Sequence, residues 1–187
     1  MFVPPTWLEG FLIQFAVVGL IPLFIAGIIG IGIKLKKGSW EKAGFFTLGL
    51  FILMIIPMYG VNSVFWHYNY EVPSINEKII TVQEWQPKPG IRMNENGMMV
   101  INNADQLLLI TTENEGFLNE ENFFFGKFNT RDIFNKLKVG GTYKIKYYGW
   151  REGFNSGFSN ILNIEEVIDE KNATVNKYGD YFGTKIV

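Results

Sequence analysis

FLIQFAVVGLIPLFIAGIIGIGI (residues 11–33), KLKKGSWEKA (34–43) and GFFTLGLFILMIIPMYGVNSVFW (44–66) are the stretches whose reading decides the architecture. The two outer stretches, Phe11 to Ile33 and Gly44 to Trp66, carry no charged side chain. At 1.5 Å per helical residue, about 20 residues cross a hydrocarbon core of ~30 Å, and each stretch is that long. Both runs are apolar on every face, which predicts a transmembrane hairpin rather than two amphipathic helices. A cleaved signal peptide is the rival reading of the first run. It is disfavoured because there is no basic leading segment, the run is too long, and no small-residue cleavage pattern follows.

The connecting segment holds Lys34, Lys36, Lys37 and Lys42, the densest basic cluster in the chain. The opposite flanks carry Glu9 on one side and Glu71, Glu77 and Lys78 on the other. The bias of Lys and Arg towards the cytoplasmic side therefore predicts a cytoplasmic turn over 34–43, with the N-terminus and the C-terminal domain outside. Trp7, Trp40 and the run Phe65 to Tyr70 are placed to sit at the membrane boundaries. Membrane lipid is the first expected partner. In the first span Ala26, Gly27 and Gly30 lie at spacings that let helix backbones approach, either within the hairpin or against another integral membrane subunit. Pro22 and Pro57 are expected to kink their helices. Gln14 and Asn62 lie near the outer ends and are expected to be solvated at the interface.

From Met1 to Asn69, Lys34, Lys36, Lys37 and Lys42 stand against Glu9 and Glu41. The chain as a whole has net charge −1, so the part beyond Asn69 is acidic. That balance argues against nucleic-acid binding. With no cysteine and one histidine, disulfides, thiolate chemistry and multi-imidazole metal sites are excluded. No phosphate loop or nucleophile elbow occurs, and no cofactor is expected.

From about residue 77 the pattern becomes that of a β domain, extending to 168. Ile79 to Trp85, Met98 to Ile101 and Leu107 to Thr112 read as strands, with a break at Asn114-Glu115-Gly116. Phe123-Phe124-Phe125 reads as a short strand or core plug. Asn129 and Asp132 suggest a capping box for a short helix ending before Gly140-Gly141. Tyr143, Ile145 and Tyr147 alternate with Lys144, Lys146 and Tyr148, the period of a half-buried strand. A last strand spans about Asn160 to Val167. Five strands with one helix between the third and fourth predict an OB-like barrel, with an open β-sandwich as the alternative.

Phe125-Gly126-Lys127-Phe128-Asn129-Thr130-Arg131-Asp132-Ile133, Gly140-Gly141-Thr142-Tyr143 and Tyr148-Gly149-Trp150-Arg151 follow one another in order. As an ordered set they resemble the pattern G-[RK]-F-N-S-S-D-[IV]-Y, G-x-T-Y, Y-G-[WF]-R. That pattern belongs to a family of small membrane-anchored proteins found in phages, prophages, bacteria and archaea. The resemblance covers roughly residues 77–167. It implies two N-terminal membrane helices and an OB-like domain, and carries no chemistry with it. Members often place Ile-Pro-Phe after the arginine, where this chain has Glu152-Gly153-Phe154.

Trp150, Arg151, Phe154 and Phe158 form a glycine-rich segment suited to partner binding, since Trp and Arg are frequent interface anchors. Asp105, Glu113, Glu115, Glu120 and Glu121 read as a solvated acidic face. Asn172-Ala173-Thr174 is an N-glycosylation sequon, in a tail (169–187) expected to be mobile. The expected function is that of a non-enzymatic accessory subunit of a larger membrane complex, presenting the β domain outside the membrane. A phage-type surface exclusion factor and an envelope enzyme are the alternatives.

Overall fold

The computed structural model describes residues 2–88, 104–151 and 157–178. The expected strand Met98–Ile101, the residue Phe154 and the tail beyond Tyr178 lie outside the described residues. The chain divides into two compact units, Met1–Pro73 and Ser74–Val187.

The first unit is helical. α1 (Trp7–Gln14), a π-helical turn (Phe15–Leu20) and α2 (Ile21–Lys37) run on continuously. Thr6 opens α1 with a full capping box: its hydroxyl accepts from Glu9 N, and the Glu9 carboxylate accepts from Thr6 N at 2.7 Å. Pro22, which has no N–H to donate, stands just beyond the end of the π turn, after Ile21. There the Ile21 N–H reaches back to Ala16 O, so the wider turn absorbs the break in the hydrogen-bond ladder. α3 (Trp40–Trp66) continues through Pro57. It passes into a π turn (His67–Glu71) and a 3-10 turn (Val72–Ser74).

The helical stretches Trp7–Lys36 and Trp40–Ser74 are long and apolar enough to cross a membrane. Phe45, Leu53 and Ile56 are among the many large apolar side chains they leave exposed. Both helices run into the segment 34–43, where only Gly38-Ser39 is non-helical. Gly38 takes φ 71°, and Ser39 caps α3. The helices meet at small residues. Ala26 and Ala43 are buried, and a Cβ on Gly30 would collide with the Thr47 hydroxyl. Asn62 departs from expectation: it is buried rather than solvated, and its Oδ1 accepts no hydrogen bond among the described residues.

The second unit is a five-stranded mixed sheet: β1 (Asn76–Pro87), β2 (Leu107–Thr111), β3 (Gly116–Leu118), β4 (Thr142–Tyr148) and β5 (Ser159–Asp169). β1 is long enough to serve two neighbours. Its first half pairs with β4, and its second half pairs with β2 beyond an irregularity at Val82/Glu84. The pairings run β1-β2-β3-β5-β4 and return to β1. All are antiparallel except the short β3–β5 contact. Among the described residues they make one continuous sheet. β3 occupies Gly116–Leu118, where the sequence suggests a break. Glycine suits position 116 because the Phe158 ring lies where a Cβ would be.

α4 (Thr130–Lys136) buries Ile133 and Phe134 in the core, with Leu137 just beyond its end. Trp85 is fully buried, packs against the Phe134 ring at 5.0 Å with the planes tilted by 58°, and donates its indole N–H to Leu137 O. The capping box expected at Asn129 does not form, and Asn129 Oδ1 has no partner among the described residues. The tail is held as far as Tyr178. Val139 and Thr174 exchange two backbone hydrogen bonds, and Tyr178 packs on the core.

A braced aromatic loop as candidate interaction site

Between β3 and α4 the chain reads Asn119-Glu120-Glu121-Asn122-Phe123-Phe124-Phe125-Gly126-Lys127-Phe128. Asn122 and Lys127 face each other through paired backbone bonds of 3.0 and 2.9 Å. Inside that closure the Asn122 side-chain oxygen accepts from Phe124 N and Phe125 N, an Asx turn. The Gly126 N–H donates to Phe123 O, and its φ of 61° turns the chain so that Lys127 comes back against Asn122.

Lys127 turns inward beneath this loop and is only 4% exposed. Its amine donates to Asn119 Oδ1 at 3.0 Å and to Asn160 Oδ1 at 3.1 Å. Asn119 Nδ2 reaches Thr130 O, which ties the site to the first turn of α4. Asn160 Nδ2 donates to Glu120 O and to the Tyr148 hydroxyl, and the same hydroxyl accepts from Asn122 Nδ2 at 2.8 Å. Burial holds the Lys127 amine down at about 7, against the attraction of Glu120. Enclosed and donating to two amide oxygens, the amine braces the loop.

The sequence places Phe123 to Phe125 in a strand or core plug, and the structure corrects this. Phe125 alone packs inward, against the Tyr148 ring at 4.4 Å. Phe123 is 82% exposed, Phe124 44% and Phe128 64%. With Asn122, Lys127 and Phe125 pointing in, the remaining rings point out. Tyr148, assigned by alternation to the lysine face of its strand, is buried because its hydroxyl belongs to this polar cluster. Sequence reasoning misses Lys127. Its one signal is a lone cation inside an aromatic run, and burial of a lysine depends on contacts distant in the chain.

Of the predicted anchors, Trp150, Arg151 and Phe158 fall among the described residues, in the segments that follow Tyr148 and precede Asn160. Gly149 (φ 83°) follows Tyr148, and its N–H donates to Ser74 Oγ at 2.7 Å. The Arg151 guanidinium stacks over the Phe158 ring at 4.6 Å, so these two residues come together. Phe158 in turn lies on Gly116, and Trp150 is half-buried. In the helical unit, Ala26 and Gly30 are used inside the hairpin, whereas Gly27 has open space around it.

Three of the five residues of the acidic stretch meet lysines. Lys78 bridges Glu113 and Glu115 at 2.7 Å each, and Lys88 meets Glu120. No group of three potential metal ligands occurs among the described residues. Asn172 is exposed, in the turn that leads to the Val139–Thr174 bridge. A shallow groove of about 410 Å³ between α4 and β5 is lined by Lys136, Lys138, Glu166 and Glu170. Glu170 there accepts from Lys138 Nζ and from the Tyr143 hydroxyl, which lowers its own pKa. Burial raises that of Tyr143 to about 12.

No family model, curated protein or solved structure matches the chain.

Proposed function

We propose that the chain is a non-enzymatic accessory subunit of a membrane complex, held by its helical pair and presenting the β unit on the outer face. The carrying observation is the join between the two units. A helix of membrane-spanning length and composition runs to Ser74, and the first strand begins at Asn76. The β unit is thereby tethered within a few residues of the apolar stretch. The basic turn at Lys34 to Lys42 supports an outer placement of that unit. The order of strand pairing, the parallel β3–β5 contact and the helix between β3 and β4 support an OB-like reading of the fold. The resemblance of residues 77–167 to the phage and prophage family points to the same architecture.

Lateral association with another integral subunit is supported by Gly27, which is open where Gly30 is filled. Purification of the full chain from its native membrane in mild detergent tests this. A second membrane chain should co-purify at fixed stoichiometry, and Gly27→Leu should release it while leaving the hairpin folded. Migration as a lone monomer rejects the subunit role. Protease added to intact cells should remove the β unit, and resistance there would reverse the orientation.

A further inference from the structure

The loop that carries the three exposed rings and the chain's entry into the β unit both contact the segment Tyr147 to Gly149. Asn76, the first residue of β1, pairs with Tyr147, and Ser74 is hydrogen-bonded to Gly149. Tyr148, between those two contacts, carries Phe125 against its ring and Asn122 on its hydroxyl. The loop that exposes Phe123, Phe124 and Phe128 is therefore anchored one residue from the point where the tether enters. The tether itself is short: from Trp66 to Ser74 the backbone stays helical, a rise of roughly 12–15 Å. Tyr68 and Tyr70 lie along it, in the residue types that favour the headgroup layer.

The loop also has the chemistry of an interfacial anchor. Its tip consists of Phe123, Phe124, Gly126 and Phe128, with no outward charge, because the Lys127 amine is buried beneath it. The flanking ionisable residues are Glu120, paired with Lys88, the exposed Glu121 and, just beyond Phe128, the exposed Arg131 and Asp132. A rim of mixed charge with no basic excess around exposed phenyl rings suits a zwitterionic lipid surface rather than an anionic one.

We infer that Phe123, Phe124 and Phe128 insert into the interface of the chain's own membrane and dock the β unit on lipid at its tether end. This rests on the reading of the helical pair as membrane-spanning, and the test separates the two. The sequence has no cysteine. Single-cysteine variants F123C, F128C, V175C and L53C of the full chain can therefore each carry one environment-sensitive fluorophore. Val175 is exposed beyond the Val139–Thr174 bridge, and Leu53 is exposed at mid-span.

In phosphatidylcholine nanodiscs, a spin label high in the acyl chains should quench positions 123 and 128 at least three-fold more than 175. Aqueous iodide should show the reverse order, and position 53 should respond to lipid quenchers only. If 123 and 128 behave like 175 while 53 is lipid-quenched, the docking inference fails and the spans stand. If 123 and 128 are shielded from both quenchers, a protein contact covers the loop and the inference fails. If 53 is not lipid-quenched, the membrane reading fails and this inference with it.

Discussion

At the scale of single residues, Lys127 makes the stability of the β unit depend on pH in an unusual direction. Its folded pKa of about 7 lies below the ~10.4 of an unfolded lysine. Between those values the unfolded chain binds the extra proton, so stability rises with pH. The burial penalty is fully present below the folded value and is relieved as pH climbs above it. From neutral pH to about 9.5 the gain should reach about 3 kcal/mol. Tyr143, raised to about 12, affects stability only above its unfolded value near 10, outside that window. Urea titrations of the detergent-solubilised chain at several pH values should show this slope, and Lys127→Met should abolish it. A slope that survives in Lys127→Met would assign it to another group.

At the scale of elements, two local constructions carry separate predictions. Asn122 supplies both the Asx-turn acceptor and the donor to Tyr148. Asn122→Ala should cost about 1–3 kcal/mol, chiefly through polar groups left unpaired, and should speed amide exchange at Phe124, Phe125 and Lys127. Unchanged protection factors at those amides would show that the bracing lies elsewhere. In the helical pair, Gly30→Ala places a methyl group on the Thr47 hydroxyl and should weaken helix contact by roughly 1–3 kcal/mol. Thr47→Ala in the same chain should recover most of that loss, a coupling readable by thermal denaturation of the hairpin in detergent. These devices differ in how far sequence reveals them. The spacing of Ala26 and Gly30 shows that a helix can approach there, but not that Thr47 is the neighbour. The missing cap at Asn129 shows the converse. Its spacing satisfies the rule, yet the side chain does not cap the helix, and its oxygen is buried with no partner among the described residues.

At the scale of the whole molecule, the β unit is closed by a few long-range contacts. Trp85 joins the second half of β1 to α4 through the Phe134 ring and the Leu137 carbonyl. Trp85→Phe should leave that carbonyl unpaired and a partial void, lowering stability by about 2–4 kcal/mol, with a flattened near-ultraviolet dichroism band. A loss no larger than that of an ordinary surface substitution would mean that the helix is held by other contacts. The ring of pairings also explains why β3 is hard to read from sequence. Gly116–Leu118 has too little length to announce a strand, and becomes one because β2 and β5 flank it.

Composition alone determined the two long apolar helices, because a charge-free run long enough to cross a bilayer has few other stable solutions. Alternation and turn residues likewise determined β4, β5 and the position of α4, since these signals are local. Tertiary structure decided the closure of the sheet, the inward turn of Lys127 and the outward turn of Phe123, Phe124 and Phe128. Those outcomes depend on Asn119, Tyr148 and Asn160, whose arrival at one point is a property of the folded chain and leaves no periodic trace in it.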